Sequence, residues 1–112
     1  PVVLTGDIHC AGLGFLRDEA PGSPTVGTEL IATSISSRSD TIPPDLANSV
    51  IGALPQFGYF EARYRGYTRC DVTPEGWDID YVAVDALTQT PGPARVESAW
   101  HLADGARAAV PR

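Results

Sequence analysis

From Tyr64 onward the chain is β-rich, and the alternation within its strands narrows the fold more than any other feature. In "WDIDYVAVDAL", Trp77, Ile79, Tyr81 and Ala83 fall on one side of an extended backbone, and Asp78, Asp80 and Val82 on the other. A strand buried on one face needs a neighbour. "YRGYTRCDVT" supplies it across the turn "PEGW", making a hairpin in which Gly66 marks a bend or a close backbone approach. "ARVESAWHL", Ala94 to Leu102, reads as a further strand after Pro91-Gly92-Pro93, and residues 103–112 as a tail with little to pack.

The first half is more mixed. Val2, Val3 and Leu4 form a short apolar run with two β-branched residues, which reads as a buried strand broken by Thr5-Gly6. Ala11 to Leu16 is small and apolar, Arg17 to Pro24 is a turn-rich surface loop, and Thr25 to Ile35 reads as a strand closed by "SSRSD". Pro43-Pro44-Asp45 suits a helix start, with Leu46, Val50, Ile51 and Leu54 as its apolar stripe and Pro55 as its stop, so a helix is expected over 45–54.

With 112 residues, 43% of them hydrophobic and 20% charged, the chain fits one ordinary globular domain without internal repeats. A net charge of −6 and a pI near 4.6 oppose a nucleic-acid partner, which needs clustered cations to displace counterions. All eight basic residues are arginine. No apolar run is long enough to span a bilayer, and no basic segment precedes an apolar one as in a signal peptide. Cys10 and Cys70 are too few and too far apart for a zinc ribbon or a disulfide framework, so small buried thiols are the favoured reading over a disulfide.

Chemistry is best sought in "TGDIHC". If the strand continues, Asp7 and His9 lie two apart and project to the same side, while Gly6 lets the backbone turn. Carboxylate oxygen and imidazole nitrogen together suit zinc, iron or manganese. The same residues also fit a strand-terminal Asx-turn with a surface histidine. On a strand Cys10 would point the opposite way from His9. Elsewhere, His101 reads as a packed or surface histidine and Arg38 as a solvated loop residue that could face a phosphate. "FGYFEARYRGY" could stack a base or sugar, but strand core with an exposed edge explains it better. No G-x-S-x-G nucleophile elbow is present.

"VVLTGDIH", "TVGTELIATSISS" and "RGYTRCDVTPEGWDIDYVAVD", in this order and spacing, resemble the C-terminal third of the alkaline phosphatase D family. These calcineurin-like metallophosphoesterases include secreted phospholipase D-type phosphodiesterases. The most specific pieces are Gly6 to His9, Thr33 to Ser37, and Arg65 to Tyr67 leading into "DVTP". The chain departs from the family pattern at Cys10, at "AGLGFL" and at "LPQFGYFEARY".

The resemblance implies a β-rich α+β fragment, the C-terminal part of a four-layer αββα metallophosphoesterase sandwich, with residues 1–102 in that domain and 103–112 as its tail. It implies that Asp7 and His9 each bind one ion of a dinuclear site, with iron or another transition metal at His9 and calcium or a similar hard cation at Asp7. It further implies hydrolysis of phosphate mono- or diesters, a secreted or extracytoplasmic location, and an N-terminal chain of the same enzyme carrying the ligand motifs absent here. The expectation from another class is a noncatalytic β-rich domain that binds a partner.

Overall fold

The computed structural model describes residues 1–37, 42–84 and 92–112. Among them the order is β1 (Val2–Thr5), β2 (Ala11–Arg17), β3 (Thr25–Ile31), α1 (Pro44–Ile51), β4 (Phe57–Glu61), β5 (Arg65–Thr73), β6 (Gly76–Val84), β7 (Arg95–Ala103) and β8 (Val110–Pro111). The strands form two four-stranded sheets, β1-β3-β2-β4 and β5-β6-β7-β8. β1 runs parallel to β3, and every other pairing is antiparallel. The expected β-rich architecture with a minor helical part is therefore present.

The alternation in β6 places its apolar set in the core, although Asp80 and Val82 of the other side are buried as well. Ile79 and Tyr81 are buried with Trp77 half-buried beside them, and across the ladder Ile79 faces Trp100 and Trp77 faces Leu102. From the other sheet Leu13 and Leu30, directly opposite each other, enter the same core. Tyr59 and Tyr81 pack across the sheets with ring centroids 4.9 Å apart. Burial pushes the Tyr81 phenol far above its ordinary pKa, so it stays a donor, and its Oη bonds the Gly12 carbonyl at 2.5 Å. "FGYFE" forms β4 at the sheet edge, as the aromatic run suggested.

Three expectations need correction. β1 pairs as a strand and its Val2 packs on the main core, but Val3 and Leu4 are exposed, because the run lies at the sheet edge. The helix spans Pro44–Ile51 and turns its expected stripe partly outward: Leu46 and Val50 are exposed while Ala47 and Ile51 pack on Cys10, Phe60 and Ala62. Asn48 sets that facing. Its Nδ2 donates to Glu61 Oε1 at 3.0 Å and its Oδ1 accepts from the Ala62 N–H at 2.9 Å, so the face carrying Asn48 must meet β4.

The last residues are the third case, because they pack instead of trailing. Ala109 is buried in the main core, and Val110 and Pro111 pair with β7. Thr28, wholly buried in the first sheet, donates to the Arg107 carbonyl at 2.9 Å and accepts from the Ala109 N–H at 3.2 Å. Arg112 bonds Asp78 at 3.0 Å and Asp80 at 2.6 Å on the outer face of the second sheet. A small apolar side chain and a string of polar partners hold this segment, which hydropathy alone does not reveal.

Gly66 is a close-approach point. A Cβ there would collide with the Val82 carbonyl oxygen and lie 3.1 Å from the Ala83 Cα, both backbone atoms of the paired strand. Gly66→Ala should therefore destabilise the chain by about 2 kcal/mol or more, the range of a named steric mechanism. Chemical denaturation of the two proteins side by side checks it; an unchanged midpoint would show that the ladder yields freely at this position.

Candidate metal centre

The sheet order β1-β3-β2 forces the chain to cross the end of β3 between Thr5 and Ala11. Thr5 and Gly12 both pair with Ile31, so the crossing arches directly over the last residue of β3. Asp7 and His9 lie on that arch. The strand has ended before Asp7, so alternation along an extended backbone does not place the two side chains. The Ile8 N–H instead bonds the Gly6 carbonyl at 2.9 Å around Asp7, whose φ is 73°, a γ-turn of the rare positive-φ kind. His9 follows at φ 57°.

Asp7 and His9 are the non-glycine residues with positive φ among those described. Asp and His enter this region more readily than bulky or branched residues, yet it still costs about 1–2 kcal/mol each. Gly6, expected to supply the turn, does not: its φ is not positive, and a Cβ there would meet only the Ala32 oxygen at 3.7 Å. The reversal is made by the two candidate ligands themselves. Asp7 is exposed and His9 half-buried.

Arg65 holds the turn from the second sheet. Only 3% exposed, it begins β5 and spreads its guanidinium under the arch. Nη1 donates to the His9 carbonyl, to the Ser37 carbonyl at 3.0 Å and to Ser34 Oγ at 3.4 Å, while Nη2 donates to the Ala62 carbonyl at 2.6 Å. Thr33 Oγ1 shares its one proton between the same His9 carbonyl at 3.2 Å and the Tyr64 carbonyl at 3.4 Å, and the Gly66 N–H donates to the Ser34 carbonyl at 3.0 Å. The stretches around Gly6 to His9, Thr33 to Ser37 and Arg65 to Tyr67 thus meet at one corner. Sequence reasoning singles out all three stretches but gives Arg65 only a possible stacking role; nothing in a single arginine at a strand start announces burial.

Below the turn lies Cys10. Burial pushes its thiol up and the Arg65 charge only partly opposes this, so it remains a neutral packing residue. Beside it, Glu61 is 5% exposed; burial alone would raise its pKa, but hydrogen bonds from Arg63 and Asn48 hold its carboxyl below the usual range. Glu61 is thereby committed to anchoring α1. Cys70, expected to be buried, is exposed on β5, and neither cysteine is in a disulfide.

The donor set fits part of a metal site. A carboxylate and an imidazole come from one braced turn, offering a hard oxygen and a borderline nitrogen. Among the described residues no three of His, Cys, Asp and Glu gather, so these two do not complete a coordination shell. His101 is not brought to them: it sits in β7 with Nδ1 2.7 Å from Asp78 Oδ1, within the ion-paired outer face formed with Asp80, Arg69 and Arg112. Arg63 pairs with Glu61 at 2.6 Å, and Arg38 lies outside the described residues.

The comparisons agree with one another. A family model described as "PhoD-like phosphatase" matches residues 1–81. Alkaline phosphatase D of Bacillus subtilis (strain 168) is 36% identical over 102 residues, a match covering 83% of this chain and 16% of that protein. A solved structure described as "Structure of PhoD" superposes with a TM-score of 0.66 at 28% identity, covering 91% of this chain and 20% of that one. The chain thus spans a minor part of the length of both relatives.

If the strain lies at His9 and not at Gly6, glycine scanning separates them. In the metal-free intact protein, His9→Gly should be more stable than His9→Ala by about 1 kcal/mol, because only alanine keeps the penalty of a positive φ. Gly6→Ala should be neutral or slightly stabilising. Thermal unfolding of the three variants is the measurement, and equal stability of the two His9 variants would contradict the assignment.

Proposed function

This chain belongs to the PhoD-like phosphatase family, and on that premise we propose that it forms part of a metal-dependent phosphoester hydrolase in which Asp7 and His9 are metal ligands. One observation of the fold carries the reading. The two residues of suitable donor chemistry are the ones held at positive φ, on an arch braced by Arg65 and Thr33. Strained backbone persists only where surrounding contacts over-determine it, and it concentrates at functional sites.

Asp7 presents an exposed carboxylate suited to calcium or another hard cation, and His9 a nitrogen suited to iron or another transition metal. When bound, such a pair of ions supplies the positive charge that stabilises the attacking and leaving oxygens of an in-line displacement at phosphorus. The chain's own contribution is placement. The γ-turn carries the Asp7 carboxylate, the donors on the His9 carbonyl fix the residue that bears the imidazole, and Cys10 stays packed with Ala47 and Ala62.

The substrate class we propose is phosphate mono- or diesters, phospholipid-type diesters included, acted on outside the cytoplasm. The remaining ligands belong to the N-terminal part of the same enzyme. That part also covers the exposed Val3 and Leu4, in keeping with the 16% and 20% of the relatives' lengths that this chain spans. No helix among the described residues is long and apolar enough to cross a membrane.

In the intact enzyme, His9→Ala should lower bound metal and lower phosphoester hydrolysis about a thousandfold or more, since no neighbouring side chain replaces the lost nitrogen. Asp7→Asn, which keeps the shape and removes the charge, should act in the same direction. His101→Ala, altering only the outer ion network, should keep full metal content. Elemental analysis and a steady-state assay on the same samples decide the matter: two metals per molecule and near-normal turnover in His9→Ala would refute the ligand assignment.

A further inference from the structure

We propose that Arg65 is a positioning residue for the metal-binding turn, gripping the His9 carbonyl so that the imidazole is presented in one direction. The proposal rests on His9 being a ligand, as argued above. It starts from an energetic oddity. Arg65 is 3% exposed, yet its hydrogen bonds go to three backbone carbonyls and one hydroxyl, and no carboxylate among the described residues pairs with it. Removing a guanidinium from water is costly even when its donors are satisfied, and an apolar side chain would fill the same volume more cheaply. A compensating role is therefore called for, and the acceptors identify it.

Those acceptors belong to residues 9, 34, 37 and 62, on three separate segments, while Arg65 itself begins the second sheet. Only a planar fork with several fixed donors reaches such a set at once; an ammonium is a point charge on a flexible stem. The bond to His9 matters most. His9 sits at φ 57°, and a residue there relaxes toward negative φ by rotating its peptide plane unless its carbonyl is held. Arg65 and Thr33 hold that oxygen from two directions. The carbonyl orientation fixes the His9 backbone, and the backbone sets the direction in which the ring leaves it. One donor of the fork takes no part in the grip. Nε has no partner among the described residues and, like the equally unpartnered Thr68 Oγ1, belongs to a residue lining a cavity of about 10 Å³, the space of a single water.

The test uses the intact enzyme with zinc(II) as the metal probe, its dissociation constant read by competition with a chromogenic chelator and its metal-free unfolding temperature read separately. Arg65→Lys keeps the charge and loses the fork. It should weaken zinc binding by about 10- to 100-fold, the range for groups that orient a metal ligand, with kcat for p-nitrophenyl phosphate falling more than KM rises. Thr33→Val removes the second donor to the same carbonyl and should weaken zinc binding by a smaller factor, about three- to tenfold. A merely structural arginine would lower the metal-free unfolding temperature and leave the zinc affinity of the folded protein within about twofold of wild type, and that result overturns the proposal. Should Arg65→Lys fail to fold, Thr33→Val decides alone: weakened binding supports the grip on His9, unchanged binding refutes it. His9→Ala keeps the two readings apart. If it leaves zinc affinity intact, the ligand assignment has failed; if it abolishes binding while Arg65→Lys and Thr33→Val do not, only the positioning role has failed.

Discussion

A buried guanidinium, Arg65, with no carboxylate partner among the described residues, organises the corner where the β1–β2 arch meets the second sheet. Arg65 starts a strand of one sheet and bonds carbonyls that belong to the end of the other, so the two layers are registered where the β1–β2 arch crosses β3. Apolar packing cannot do this. It is non-directional and tolerates sliding of one sheet over the other, whereas a planar fork with fixed donors does not. The positive-φ backbone at Asp7 and His9 is the counterpart of that grip: strain is held where a rigid polar frame opposes its relaxation.

Away from the corner, the same principle recurs with neutral groups. Tyr81 reaches across the sandwich to the Gly12 carbonyl, and wholly buried Thr28 bonds the backbone of residues 107 and 109. Each cross-layer bond satisfies a polar group that would otherwise be buried unpaired. Each also fixes the facing of one sheet against the other. The large apolar residues, Leu13, Leu30, Ile79, Trp100 and Leu102, supply the drive to collapse, and the polar bonds choose among the collapsed arrangements.

What can be read from the sequence follows this division. The hairpin of β5 and β6 and the core face of Trp77, Ile79 and Tyr81 are legible from period-two alternation, although the burial of Asp80 and Val82 on the other side of β6 is not. Gly66 is legible as a close approach because a strand interior has few other uses for glycine. The facing of α1 is not, since Asn48 overrides the apolar stripe through bonds to β4, a tertiary contact with no local signal. Nor is the packing of residues 103–112, which depends on Thr28, some eighty positions away. Asp7 and His9 stand out for their chemistry and for a family resemblance that the PhoD-like match supports, but an extended backbone is the wrong geometry for pairing them: the crossing over β3 demands a turn, and a sheet order with β3 between β1 and β2 cannot be read from residues 1–10.

The central claim is that the strained arch exists to hold metal, and its most direct test is anomalous diffraction from crystals of the intact enzyme, recorded on both sides of the absorption edge of the metal it carries. The account predicts an anomalous peak about 2.0–2.2 Å from a ring nitrogen of His9, and an ion about 2.0–2.6 Å from the Asp7 carboxylate, with both residues still at positive φ. Metal ions ligated entirely by other residues, with the His9 ring and the Asp7 carboxylate turned to solvent, would contradict it.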